Sequence, residues 1–161
     1  MSLAILHVYR HNSWATHALL GFLESQPPEV LAATTPGSFG TVAQTLVHLV
    51  AAQERYVERL AAAKRAEPVR ESGGWRGFQP LRESLDWSDP RLLAAAGTAP
   101  ENAELETDRN GELVTLKLAT LLAQAINHAT EHRVNITTTL AALEIEHPEL
   151  DVWAYAEATW P

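Results

Sequence analysis

The sequence predicts an all-α fold: a four-helix bundle with long connections and a small two-stranded β-ribbon before the last helix. Three observations point there. Apolar residues recur near the 3.6-residue period in four separate stretches. Between Ala103 and Lys117 the period shortens to two, around an Asn-Gly pair. The chain has 161 residues and no cysteine, which suits one domain over residues 1–161 with a core that needs no disulfide.

The first helix is expected from Ser2 to Ser25, where Ile5, Val8, Tyr9, Asn12, Ala15, Leu19, Phe22 and Leu23 share a stripe. Pro27-Pro28 ends it, and a loop with Pro36-Gly37 follows. The second helix starts near Ser38 or Thr41, either of which can N-cap it. Its stripe is Val42, Leu46, Leu49, Tyr56 and Leu60, and it fades in the charged tract from Lys64 to Glu71. A third helical region covers Gly77 to Ala96. Ser88-Asp89-Pro90 has the form of a new N-cap with proline in the first turn, so two short helices are expected as readily as one.

Asn110-Gly111 is the strongest short hairpin signal, with Leu105 and Thr107 before it and Leu113, Thr115 and Lys117 after it. The fourth helix runs from Lys117 to Leu143. The aromatic, acidic tail HPELDVWAYAEATW is expected to pack back on the bundle.

Composition excludes several function classes. Net charge is −8 with histidine neutral, which disfavours nucleic acid and anionic membrane as partners. No apolar run approaches a membrane span, and the opening MSLAILHVYRHN is broken too early by His7, Arg10 and His11 for a secretion signal; a cytoplasmic protein is expected. Without cysteine there is no thiolate ligand and no cysteine nucleophile. A metal must be held by His, Asp or Glu.

The segment NHATEHR carries His128 and His132 on the apolar stripe of the fourth helix. Residues four apart on a helix differ by about 40° in direction and about 6 Å along the axis. Two imidazoles so placed can reach one ion. Both are costly on a core-facing stripe unless something satisfies them. A third nitrogen ligand is available in His48, mid-way along the second helix, with small Thr45 and Ala52 beside it.

Other readings of the same residues are weaker. HATEH matches the His-x-x-Glu-His pattern of some zinc proteases, with Glu131 as base, but those need a further acidic ligand on a much larger scaffold. Glu131 lies about 60° around the helix from His128 and is read as a solvated residue or a candidate base. His7 and His11 share the four-residue spacing but sit on a helix face expected to be partly exposed. His11, Asn12 and Trp14 are candidate pocket residues. His17 and His147 are read as surface residues, Glu54 and Arg55 as a solvated pair, and the charge runs Lys64–Glu71 and Glu101–Asp108 as solvated loops.

TLVHL in the second helix, HATEHRVN in the last and PELD with aromatics in the tail together resemble the DinB-like bundle proteins, as does the opening YRHNSWA. The resemblance covers most of the chain. It implies a four-helix bundle and a metal triad of one histidine on the second helix and a His-x-x-x-His on the last, which fall here on His48, His128 and His132. It also implies a homodimer, and either metal-dependent hydrolysis or thiol-dependent S-transfer with an external low-molecular-weight thiol. Many relatives carry a Gly-Gln pair soon after the second histidine; Val134-Asn135 stands there in this chain.

The expected cofactor is one divalent ion, zinc or nickel, since imidazole suits both. It would activate a bound water or thiol for reaction with a small-molecule substrate. The alternative is a non-catalytic bundle that binds metal or a small ligand in a stress response.

Overall fold

The computed structural model describes residues 3–100, 102–109 and 111–160. Its elements run α1 (Leu3–Glu24), α2 (Pro28–Ala32), α3 (Val42–Ala61), a 3-10 turn (Glu71–Gly73), α4 (Phe78–Thr98), β1 (Glu104–Arg109), β2 (Glu112–Lys117), α5 (Leu118–Ala142) and α6 (Val152–Thr159). The four long helices are the four that periodicity predicts. Ser2, expected to open the first, lies outside the described residues. Two short helices were not expected. Pro28 opens α2 as a first-turn proline, so the Pro27-Pro28 pair ends one helix and begins another. The tail packs on α1 as the helix α6, N-capped by the Asp151 side chain.

Helix α3 packs against α4 and α5, and α1 packs against the same two, so α1 and α3 lie diagonally across the bundle. Thr41 and Gln44 close a capping box at the start of α3. This selects Thr41 over Ser38 as the cap. Ser38 instead bonds backbone within its own turn.

Helix α4 is one helix through Pro90 rather than two. Asp89 caps nothing because its carboxylate is used elsewhere. It accepts hydrogen bonds from Ser13 and His17 of α1 and from Gln53 of α3. That tertiary use outcompetes the local signal for a helix start.

In the ribbon, β1 pairs antiparallel with β2, Glu104 opposite Lys117 and Arg109 opposite Glu112, leaving a two-residue turn. Asn110 lies outside the described residues; Gly111 adopts φ +86°, the left-handed backbone that such a turn needs. Thr107, opposite Val114, is buried, whereas Leu113 and Thr115 are exposed.

The core divides in two. One cluster gathers Leu19, Leu20, Leu23, Leu46, Val50, Leu85, Ile136 and Leu140; the other gathers Tyr9, Val57, Leu92, Ala96 and Leu122. Between them every long helix contributes polar residues: Asn12 and Thr16 from α1, Gln53 and Glu54 from α3, Ser84 and Ser88 from α4, His132 and Arg133 from α5. This layer is buried and hydrogen-bonded throughout, as burial of polar groups requires. His132 is the exception.

Candidate metal centre

Helix α5 holds His128 and His132 one turn apart, and the packing of α3 beside α5 brings His48 to them. One ring nitrogen from each of the three lies within 4.8 Å of the others. The rings themselves are in contact, with centroids 4.3–5.0 Å apart. His48 Nε2 and His128 Nε2 face each other at 3.0 Å. Two nitrogens so placed either share a proton or present lone pairs to one cation.

The orientation of His48 is set by a residue far along the chain. Its Nδ1–H donates to Glu71 Oε2 at 2.8 Å, which leaves Nε2 as the lone-pair nitrogen facing the cluster. Arg55 holds the other carboxylate oxygen, Oε1, at 2.9 Å. Partial burial of Glu71 works against its ionised form, but the bonds from His48 and Arg55 outweigh it and keep the carboxyl below its ordinary pKa.

Sequence reading missed this carboxylate and placed Glu71 in a solvated loop. Glu71 opens the 3-10 turn 23 residues after His48, and no periodicity marks it. The neighbouring tract was misread as well. Glu54 is not a solvated partner of Arg55: it is 6% exposed and accepts from Ser84 Oγ at 2.6 Å, Val69 N at 2.9 Å and Arg65 Nη1 at 3.5 Å. The loop after α3 is thus tied down at Arg65, Val69 and Glu71.

On the other side Phe39 stacks on His48 with a centroid distance of 4.1 Å and meets His132 edge-on. Its backbone N–H donates to Asn135 Oδ1 at 2.8 Å, so Asn135 anchors the loop before α3. Tyr56 meets His128 edge-on. Phe39 and Glu71, the two neighbours of His48, also line a pocket of about 270 Å³ with Gln44, Val47, Gly74 and Trp75.

Burial depresses the basicity of His128 first, and the adjoining His132 and His48 add to it, pushing its pKa down to about 4. Burial and His48 lower His132 in the same direction. Both rings are neutral at neutral pH, the state that binds metal.

The donor set fits a divalent ion. Three imidazoles suit zinc or nickel. His132 Nδ1 is the one buried side-chain polar atom among the described residues with no hydrogen-bond partner, which an ion or other electrophile at the cluster would account for. No fourth Asp, Glu or His among the described residues joins the three.

The remaining candidates lie elsewhere. His11 Nε2–H donates to Leu150 O at 2.8 Å, and its ring and that of Trp14 pack against Tyr155 of α6. Asn12 Oδ1 accepts from Arg133 Nη1 at 2.7 Å. His7 also meets the Tyr155 ring, at a tilt of 58°. Glu131 is exposed, and its carboxylate makes no bond among the described residues. His17 is not simply a surface residue, since its Nε2 pairs with Asp89 at 3.1 Å. His147 is half-buried, with Nδ1 bonded to Pro148 O.

The DinB family model matches residues 1–161. The chain belongs to the DinB family. A crystal structure of a DinB-like protein from Bacillus cereus ATCC 10987 superposes with a TM-score of 0.59 at 16% identity, covering 84% of this chain and 90% of that one. At that identity the likeness speaks for the fold. No curated protein matches the chain. Among the described residues of this DinB-family bundle, no helix is long and apolar enough to cross a membrane.

Proposed function

We propose that this DinB-family protein is a divalent-metal-dependent enzyme in which His48, His128 and His132 hold zinc or nickel. Its reaction is hydrolysis of a small molecule or S-transfer to one from an external thiol. The observation that carries this reading is a three-imidazole cluster with no fourth protein ligand among the described residues, the arrangement of catalytic rather than structural sites. The ion would supply Lewis acidity toward water or a thiol.

The chain's own residues do the positioning. Glu71, braced by Arg55, fixes the tautomer and tilt of His48. Asn135 holds the loop that lays Phe39 over His48. Phe39 and Trp75 give the adjoining pocket aromatic walls for an apolar part of the substrate. With no cysteine in the chain, any thiol must come from outside. The same reading includes a homodimer, as the family resemblance implies; exposed Trp153 and Trp160 supply apolar surface for it.

Elemental mass spectrometry of untagged protein tests the centre. About one zinc or nickel per chain, lost in His132→Ala, is the expected result. No metal in either after reconstitution would overturn it. Metal without turnover on any hydrolytic or thiol-transfer substrate would favour the non-catalytic binding alternative.

A further inference from the structure

Arg133 follows His132 but points the opposite way, toward α1. It is 4% exposed, and a buried cation needs a counter-charge or a full set of acceptors. It has neither. Nη1 donates to Asn12 Oδ1 at 2.7 Å and Thr16 Oγ1 at 3.0 Å, with a longer contact to Asn12 O at 3.5 Å; Nη2 donates to Thr130 Oγ1 at 3.2 Å. All of these partners are neutral, and no carboxylate pairs with Arg133 among the described residues.

A guanidinium has five N–H donors. Those on Nη1 are used, one on Nη2 is used, and Nε and the second Nη2 hydrogen have no acceptor among the described residues. Nε and Nη2 form the side edge of the fork, the edge that takes a carboxylate through two parallel bonds. Nε is not sealed in: among the described side chains the one buried, unpartnered polar atom is His132 Nδ1.

Arg133 lines a groove of about 460 Å³ between α1, α5 and the tail. The rest of its wall is mainly apolar, with Val8, Ile126, Val134, Pro148, Leu150 and Val152. Its polar groups are engaged. His11 and His147 donate to Leu150 O and Pro148 O, and Asp151, the one carboxylate of the lining, N-caps α6. A cation at the base of an apolar groove calls for a ligand with one anionic head and an aliphatic body.

We propose that this groove binds a small aliphatic carboxylate, its head paired with the free edge of Arg133 and its chain laid along Val8, Ile126 and Leu150. The site is separate from the histidine cluster and does not depend on it.

Isothermal titration calorimetry with octanoate on the full chain tests this, with octanol and octyl phosphate as comparison probes. Octanoate is expected to saturate, and octanol to bind about tenfold or more weakly for want of the charged pair. Arg133→Met is expected to abolish octanoate binding. Val134 is 54% exposed at the groove, so Val134→Asp tests the same point without disturbing the core. It is expected to weaken octanoate about tenfold with unchanged thermal unfolding. His48→Ala is expected to bind octanoate as the parent does. The proposal is overturned by failure of octanoate to saturate at millimolar concentration, by equal binding of octanol, by tighter binding of octyl phosphate, by Val134→Asp retaining full affinity, or by loss of binding in His48→Ala, which would put the carboxylate at the histidines.

Discussion

Single residues decide how the three-histidine cluster is held. The Glu71 carboxylate is tied to His48 at 2.8 Å and to Arg55 at 2.9 Å, yet it is partly exposed and sits outside the core. Glu71→Gln should therefore lower metal affinity by about 10–100-fold with little change in stability. A competition titration against a chromogenic chelator reads the affinity, and an unchanged value would remove Glu71 from the site. Glu54 stands in contrast. Its carboxylate serves Ser84, the Val69 amide and Arg65 from inside the bundle, so Glu54→Ala strands three donors at once. The expected loss is about 3 kcal/mol in urea unfolding. His128 and His132 were legible in the sequence because four-residue spacing on a helix guarantees a shared face. Glu54 and Glu71 were not, since a glutamate in mid-helix or in a loop looks the same in sequence whether it faces water or a partner.

At the scale of elements, the α1–α4 contact carries a titratable link. Hydrogen bonding to Asp89 raises the pKa of His17 most, burial opposes it, and the charges of Asp89 and Asp86 add to the rise against Arg82. A raised pKa means that the folded state holds the proton more tightly than the unfolded chain. The stabilisation is then full below the ordinary histidine value of 6.5 and is lost as pH rises through the raised one. Removing the group in His17→Gln should flatten the fall in stability as pH rises above 6.5. Parallel slopes for parent and variant in denaturant midpoints against pH would show that the pair does not act. Asp89 also explains why α4 runs on through Pro90: three partners from two other helices hold its side chain, and the local signal for a new helix start loses. The ribbon was legible from Asn110-Gly111 and period-two alternation, but which of its faces turns inward was not.

For the whole molecule, the polar layer between two apolar clusters is the organising feature. Among the described residues it leaves one orphaned nitrogen, at His132, and one cation with no carboxylate bonded to it, Arg133, turned toward α1. A ligand that satisfies the first should stabilise the fold as a unit. Added zinc or nickel is expected to stabilise the fold by about 2.7 kcal/mol at a hundredfold excess over Kd, raising the melting temperature with concentration, and a chelator to reverse it. A melting curve indifferent to metal would argue that the histidines merely pair within the core. The sequence by itself determined the four long helices, the ribbon and the pairing of His128 with His132, because each is written in spacings of two to four residues. Only the tertiary structure decided that α3 lies beside α5, that Glu71 returns to His48, and that Glu54 and Arg133 are buried. Those outcomes join residues 11 to 121 positions apart. They depend on which helix faces pack and where a loop is tied down, which no local period records.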